Sequence, residues 1–327
     1  MQTFKYVQPK SLSDAAGISE KEGDAAVLFA GGTDVLGLIK NDIISPSEVI
    51  NLKSIPGLNN IEYSDGAGLK IGALTTVNEI AEHPVIMEKF TVLSEAAKEV
   101  ASPQLRNVGT IGGNICQRPR CWYFREEFDC IRKGGDLCYA IGGENKYHCV
   151  VGGGPCYIVH PSDIAVALVA LNAEFTITNG KDIRKIPADK FFVLPGQNSI
   201  QENILKPGEI LTEIFIPDLP SNTGSRYIKF TERDVWDFAI VSVAAVVNKS
   251  GNKINSAKIV FGGVAPVPWT DENFNSTLIG MELSDQSIET ATGNILEEAE
   301  PMKKNEYKIP LTRNLVKKIL KKLHEST

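Results

Sequence analysis

The 327-residue sequence lacks the features typical of membrane-spanning and nucleic-acid-binding chains. No apolar stretch approaches the roughly 18 residues that a membrane-spanning helix needs. The formal net charge is −6, and the basic residues are scattered apart from a few lysines near the C-terminus. Because phosphate backbones are bound by concentrated Lys and Arg, we expect no nucleic-acid partner. The first residues contain no apolar segment of the signal-peptide type, which predicts a cytoplasmic protein.

Cysteine is absent from the chain outside one short window. All six cysteines lie between Cys116 and Cys156, and since a cytoplasmic protein keeps thiols reduced, a metal or redox site is favoured over disulfides. No two of them form a C-x2-C pair, which counts against the usual structural zinc site. The window is rich in glycine, so a bound group would help to order it. Separate thiolates on a long loop suit the iron corners of an iron–sulfur cubane, while zinc, disulfides and buried free thiols stay open as alternatives.

Two glycine-rich segments precede this window. Residues 26–40 are predicted to form a strand, a turn at Gly31 and Gly32, and a helix capped by Thr33 or Asp34. Such a junction leaves free backbone N–H groups that suit a phosphate. Residues 109–113 contain three glycines, which allow a ligand to approach the backbone closely.

The rest of the chain predicts a mixture of helices and strands. Residues 165–173 are apolar apart from Asn172 and predict a buried helix, with Asp163 at its start as a cap or a ligand for a hydroxyl group. Residues 240–247 are predicted to be a strand or a helix, and a hairpin is predicted around Asn179-Gly180. Other short strands are predicted at 48–52, 68–73, 210–216, 225–231 and 254–262.

We place a domain boundary near residue 180. The first part, residues 1–180, carries the glycine segments, with the cysteine window inserted at 115–160. The second part, residues 181–327, has the pattern of a smaller α+β domain. No Ser/His/Asp or Cys/His arrangement predicts a hydrolytic site on this chain, so no catalytic residue is assigned.

Four segments, taken together, resemble one known family. They are AGGTDVL at 30–36, RNVGTIGGN at 106–114, PSD and the apolar helix at 161–173, and KFT-x-R-x3-DFA-x-VSVA at 229–244. In this order and spacing they resemble the FAD-binding (medium) subunit of the xanthine dehydrogenase/aldehyde oxidoreductase family of molybdenum hydroxylases. The resemblance implies an α+β (mixed α/β) fold: a two-part FAD-binding domain of the p-cresol methylhydroxylase/vanillyl-alcohol oxidase (PCMH) type, followed by a smaller α+β C-terminal domain that closes over the flavin.

The resemblance also implies which residues hold FAD. Asp163 would bind its hydroxyl-bearing chain, Val100 or Ala101 would pack near its rings, and Leu205 and Lys229 would close over it. The residues alone also allow a different interpretation, in which Asp163 is a plain helix cap and Lys229 is a solvated strand residue. The pyrophosphate would be wrapped by Leu28, Phe29, Ala30, Gly31, Gly32, Thr33, Asp34 and Val35 on one side, and by Thr110, Ile111, Gly112, Gly113 and Asn114 on the other.

One branch of this family carries a cysteine loop with a [4Fe–4S] cluster, and residues 117–125 and 143–148 resemble that branch. The resemblance implies a set of four ligands and leaves Cys116 and Cys149 as bystanders. The four implied ligands are Cys121, Cys130, Cys138 and Cys156.

The implied function is electron transfer in a heterotrimeric oxidoreductase. Substrate would be oxidised on a large molybdopterin-binding subunit, and electrons would cross a small [2Fe–2S] subunit to the FAD and then to an external electron acceptor. One alternative is the flavin subunit of a 4-hydroxybenzoyl-CoA reductase-like enzyme, whose cysteine spacing differs. Another is a non-catalytic iron–sulfur scaffold protein.

Overall fold

The computed structural model describes residues 1–325 of the chain. Its strands are β1 (Lys5–Val7), β2 (Ala26–Phe29), β3 (Glu48–Asn51), β4 (Ile61–Ser64), β5 (Gly68–Gly72), β6 (Glu174–Thr178), β7 (Ile183–Pro187), β8 (Ile210–Pro217), β9 (Thr223–Phe230), β10 (Val241–Ser250), β11 (Lys253–Gly262) and β12 (Trp269–Thr270).

Its α-helices are mostly short, and the longest is C-terminal. They are α1 (Leu12–Glu22), α2 (Val35–Lys40), α3 (Val77–Glu82), α4 (Pro84–Lys89), α5 (Thr91–Lys98), α6 (Pro103–Arg106), α7 (Ile111–Ile115), α8 (Trp122–Arg125), α9 (Asp163–Ala170), α10 (Glu272–Leu278), α11 (Asp285–Ala291) and α12 (Lys308–Glu325). Over residues 1–325, none of the helices has the length and apolar character that crossing a membrane requires.

The strands form three sheets. The first is parallel, with the order β1-β3-β2, and it carries the first glycine turn at the end of β2. The second is antiparallel, with the order β4-β5-β8-β6-β7, and the third is antiparallel, with the order β12-β11-β10-β9. Residues 240–247 therefore lie in a strand, β10, which pairs with β9 and β11 on its two sides. This arrangement confirms the predicted α+β (mixed α/β) fold.

The boundary expected near residue 180 falls inside the second sheet. Residue 180 lies in the turn of the β6–β7 hairpin, and β8 pairs with both β5 and β6. These pairings join residues up to 217 to the first part of the chain, and the third sheet begins only at Thr223. The sheets therefore favour a division between Pro217 and Thr223. Pairing between β5 and β8 spans about 140 residues of sequence and leaves no local signal.

Helix α9 packs against the third sheet. Each of its eight residues is buried, because apolar side chains occupy every face after Asp163. It contacts β10 and β11 of the third sheet as well as α5 and α7. Ser162 caps it by accepting the N–H of Ala165 at 3.0 Å. The helix thereby fixes the position of Asp163 at its first turn.

Candidate flavin site and cysteine loop

The first glycine turn lies directly against the second glycine segment. A Cβ added at Gly31 would lie 2.3 Å from the Val108 carbonyl oxygen and 2.9 Å from the Gly109 Cα. Gly32 has a φ of 73°, which favours glycine. The two glycines are therefore needed to bring residues 31–32 and 108–109 into contact.

The two segments differ in the backbone donors that they leave free. Within the described chain, the N–H groups of Gly32, Thr33 and Asp34 donate to no protein acceptor. In the second segment, by contrast, the Gly112 N–H donates to the Ala73 carbonyl at 2.9 Å and the Gly113 N–H to the Thr110 hydroxyl at 3.2 Å. The first turn thus supplies free donors of the kind that bind phosphate oxygens. The second segment uses the Gly112 and Gly113 N–H groups within the protein, so these two residues line the cleft without offering donors.

Two cavities meet at these glycine segments and form one long cleft. The first cavity has a volume of about 420 Å³ and the second of about 440 Å³, both in the range of cofactor sites. Of the predicted flavin residues, the first cavity is lined by Leu28, Ala30, Gly31, Gly32, Thr33, Asp34, Val35, Thr110, Gly112, Gly113 and Leu205. The second is lined by Thr33, Asp34, Val100, Ala101, Thr110, Gly113, Asn114 and Asp163.

Three predicted flavin residues lie outside the cleft lining. Phe29 packs edge-on against Tyr6, with ring centroids 6.2 Å apart. Ile111 is fully buried in the main core. Lys229 lies behind the second cavity, where it holds Asp163.

Asp163 is the centre of a buried hydrogen-bond network at the second cavity. Its carboxylate accepts the Tyr227 hydroxyl at 2.6 Å and the Lys229 ammonium at 2.8 Å. Lys229 is only 2% exposed and also donates to the Glu99 carbonyl at 2.9 Å. Burial, followed by the charge of Asp163, raises the pKa of Tyr227 well above its usual value. Lys229, predicted as a flavin contact or a solvated residue, thus orients Asp163 from the third sheet.

Asp34 joins the first glycine turn to the cysteine loop, which is the cysteine-containing segment at residues 115–160. Its side chain makes no capping bond to α2, the role that the sequence suggested. It accepts the Arg118 backbone N–H at 2.8 Å and the Arg125 Nη2 at 2.9 Å, and it lies 2.9 Å from Arg120 Nη1. These three arginines were not predicted as site residues, although they lie in the stretch QRPRCWYFR that carried the resemblance.

The structure places the four predicted ligand thiols in one region of the cysteine loop. Cys121, Cys130 and Cys138 pack in one cluster with buried aromatic side chains. The Cys138 side chain interacts directly with Cys156, and Cys121 lies within electrostatic range of both Cys156 and Cys130.

The two predicted bystanders lie outside this aromatic cluster, although Cys149 is also within electrostatic range of Cys156. Cys116 packs against the main core, and Cys149 is buried near Lys308. Burial raises the pKa of each of these two thiols to about 12.

The surroundings of the loop thiols differ from one to the next. Burial raises the pKa of Cys121 to about 11, and its sulfur lies 3.3 Å from His148 Nε2. The Cys138 thiol, together with the charge and the N–H of Arg132, lowers the pKa of Cys156. Within residues 1–325, no three His, Cys, Asp or Glu side chains are arranged to hold one metal ion.

Comparisons with known families cover almost the whole chain. Residues 2–219 match the family described as the FAD binding domain in molybdopterin dehydrogenase, and residues 226–323 match the CO dehydrogenase flavoprotein C-terminal domain. The chain is 34% identical to the aldehyde oxidoreductase FAD-binding subunit PaoB of Escherichia coli (strain K12), with 98% of each chain covered. It is 29% identical to the carbon monoxide dehydrogenase medium chain of Hydrogenophaga pseudoflava, covering 97% of this chain and 96% of that one.

A solved structure shares the fold. A chain of carbon monoxide dehydrogenase from Hydrogenophaga pseudoflava, in a form lacking the Mo-pyranopterin moiety, superposes with a TM-score of 0.77 at 26% identity. The superposition covers 97% of this chain and 96% of that chain. The agreement therefore extends over both sequence matches and all three sheets.

The contact at Gly31 gives a test of the flavin cleft. We expect Gly31→Ala to weaken FAD binding at least tenfold, about 1.4 kcal/mol, because the added methyl group would push the two glycine segments apart. The matched control is Gly37→Ala, where a Cβ meets nothing within 4 Å. FAD content per chain and affinity, measured by flavin fluorescence, check this. Equal FAD affinity in both variants would contradict the proposed role of the Gly31 contact.

His160 gives a test of stability against pH. Burial lowers its pKa from 6.5 to about 3, and its Nδ1 accepts the Ser162 N–H at 3.3 Å. Because the unfolded state takes up a proton below pH 6.5 and the folded state does not, the contribution of His160 to stability is lost as pH falls below 6.5. The expected loss is about 1.4 kcal/mol for each pH unit.

His160→Asn keeps an acceptor near Nδ1 and removes the titration. We expect the difference in unfolding free energy between wild type and variant, measured in urea, to narrow between pH 7 and pH 5. A difference that stays constant over this range would show that His160 is not held neutral by the fold.

Proposed function

This chain belongs to the family of FAD-binding medium subunits of the molybdenum hydroxylases, and we propose that it receives electrons from a small [2Fe–2S] subunit and passes them through FAD to an external acceptor. The observation that carries this function is the long cleft at the two glycine segments, in a chain whose family match covers both domains. Bound FAD supplies the redox chemistry itself.

The chain's own residues bind and orient the cofactor. The free N–H groups of Gly32, Thr33 and Asp34 would hold the pyrophosphate, since backbone donors can bind a diphosphate with little help from Lys or Arg. Asp163 lines the second cavity and is fixed by Tyr227 and Lys229. A carboxylate has more acceptor sites than these two bonds use, so Asp163 can still accept a flavin hydroxyl.

We further propose that the cysteine loop holds a [4Fe–4S] cluster. A cubane takes one thiolate for each of four irons. Cys121, Cys130 and Cys138 pack in one cluster, and Cys121 and Cys138 both interact with Cys156, while Cys116 packs against the main core. The buried aromatic side chains around them would limit access of water to the cluster. The proposed ligands are Cys121, Cys130, Cys138 and Cys156.

The partners and substrate class follow from the relatives. The relatives named above are FAD-binding or medium subunits of aldehyde oxidoreductase and carbon monoxide dehydrogenase. We propose that this chain assembles with a large molybdopterin-binding subunit and a small [2Fe–2S] subunit into an enzyme of the aldehyde or xanthine/N-heterocycle dehydrogenase type. The cytoplasmic location stays a prediction.

Cofactor content tests both proposals. We expect the purified chain to release one FAD on heating and to contain about four iron atoms, with flavin absorption and a broader iron–sulfur shoulder in the visible spectrum. Flavin without iron would overturn the cluster proposal alone. A colourless chain that neither releases nor takes up FAD would overturn the flavin proposal.

Single serine substitutions test the ligand assignment. We expect Cys130→Ser to lower the iron content and to bleach the iron–sulfur absorption, because the thiolate ligand is lost. Cys116→Ser is the matched control, since Cys116 packs against the main core. Loss of iron in the Cys116 variant, with retention in the Cys130 variant, would show the assignment to be wrong.

A further inference from the structure

Arg132 is a fully buried arginine inside the cysteine loop. It lies two residues after Cys130, in a short 3-10 turn, and its side chain is 1% exposed. Its Nε donates a hydrogen bond to the Cys156 sulfur at 3.3 Å, and its Nη1 donates to Glu202 Oε1 at 2.5 Å. The Arg132 guanidinium thus connects the Cys156 sulfur to the carboxylate of Glu202, which is 70 residues away in the sequence.

Glu202 is shared by two arginines. Its other oxygen lies 2.8 Å from Arg118 Nε, and its side chain is 5% exposed. Arg132 and Glu202 are buried, while Arg118 is 25% exposed. Two cations therefore lie against one anion, so their charges do not cancel. Because buried charges are screened much less than exposed ones, the surplus positive charge acts on the neighbouring Cys156 sulfur.

We propose that Arg132 tunes the redox centre of the cysteine loop by donating its N–H to the ligand sulfur of Cys156, with Glu202 setting how much of its positive charge that sulfur experiences. The inference rests on the proposed [4Fe–4S] cluster. Hydrogen bonds to the sulfurs and nearby charge set the reduction potentials of such clusters. A donor and a positive charge stabilise the more negative, reduced state, so Arg132 raises the potential.

A purely structural role for Arg132 gives different expectations. A clamp between the loop and Glu202 would lose the same ion pair whichever partner is changed, so Arg132→Gln and Glu202→Gln would have similar effects. Under the tuning role the two changes act in opposite directions. The first removes the positive charge and the N–H donor, and the second removes the negative charge that offsets them.

The experiment is a redox titration of the cubane in the purified complex, followed by its EPR signal. We expect Arg132→Gln to lower the midpoint potential by about 59 mV, which is a tenfold change for a one-electron couple. Glu202→Gln should raise it, and Arg132→Lys, which keeps the charge, should lie between wild type and Arg132→Gln. The control is Lys133→Gln, which removes the neighbouring cation of the same loop, whose ammonium donates to the Glu126 carbonyl rather than to a sulfur, and it should shift the potential least.

The outcomes separate this inference from the proposed function. A wild-type protein without iron overturns the cluster and the inference together. A normal cluster whose potential is unchanged in all variants, or shifts in the same direction for Arg132→Gln and Glu202→Gln, overturns the tuning role alone. If Arg132→Gln fails to assemble its cluster, the signs of the shifts in Arg132→Lys and Glu202→Gln decide: a fall and a rise support the role, and any other pair of signs overturns it.

Discussion

The carboxylate of Asp34 is the contact on which the site depends. It fixes the first glycine turn against the start of the cysteine loop through the Arg118 N–H, Arg125 and Arg120. Hydrogen bonds to charged groups contribute about 1.5–3 kcal/mol each, and removing one partner of a buried pair leaves an uncompensated charge. Asp34 therefore links the cleft directly to the start of the cysteine loop. A loop inserted between two core segments can be ordered in this way without altering the sheets around it.

The C-terminal domain holds a cleft residue, Asp163, in place from outside the cleft. Lys229 and Tyr227, both on β9, hold the carboxylate of Asp163, which begins the buried helix α9. Lys229 also donates to the Glu99 carbonyl, beside Ala101, whose φ of 46° is unusual for a residue with a side chain. Such backbone strain persists only where the surroundings determine it strongly. The third sheet thus shapes the wall of the second cavity from behind.

Local sequence patterns predicted the parts of the site that depend on neighbouring residues. The turn at Gly31, the buried helix after Asp163 and the convergence of Cys130 with the other predicted ligands all carry short-range signals or motif resemblance. The ion pairs were not predictable, because Asp34 and Arg125 are 91 residues apart and their contact depends on the folded loop. The same reason applies to the β5–β8 pairing, which joins strands on the two sides of the boundary predicted near residue 180.

Few residues separate the proposed cluster ligands from the flavin site in the sequence. Cys156, the last proposed ligand, lies seven residues before Asp163. The connecting segment is tied to the loop between β11 and β12 by the bond from the His160 N–H to the Ala265 carbonyl at 3.1 Å. A cavity of about 370 Å³ beside it is lined by Cys121 and by Asp163 and Phe238, the last two of which also line the flavin cleft. Because buried residues of this segment (Ile158, His160 and Ser162) pack it between the two sites, a redox centre in the loop would lie close to the flavin in the folded chain.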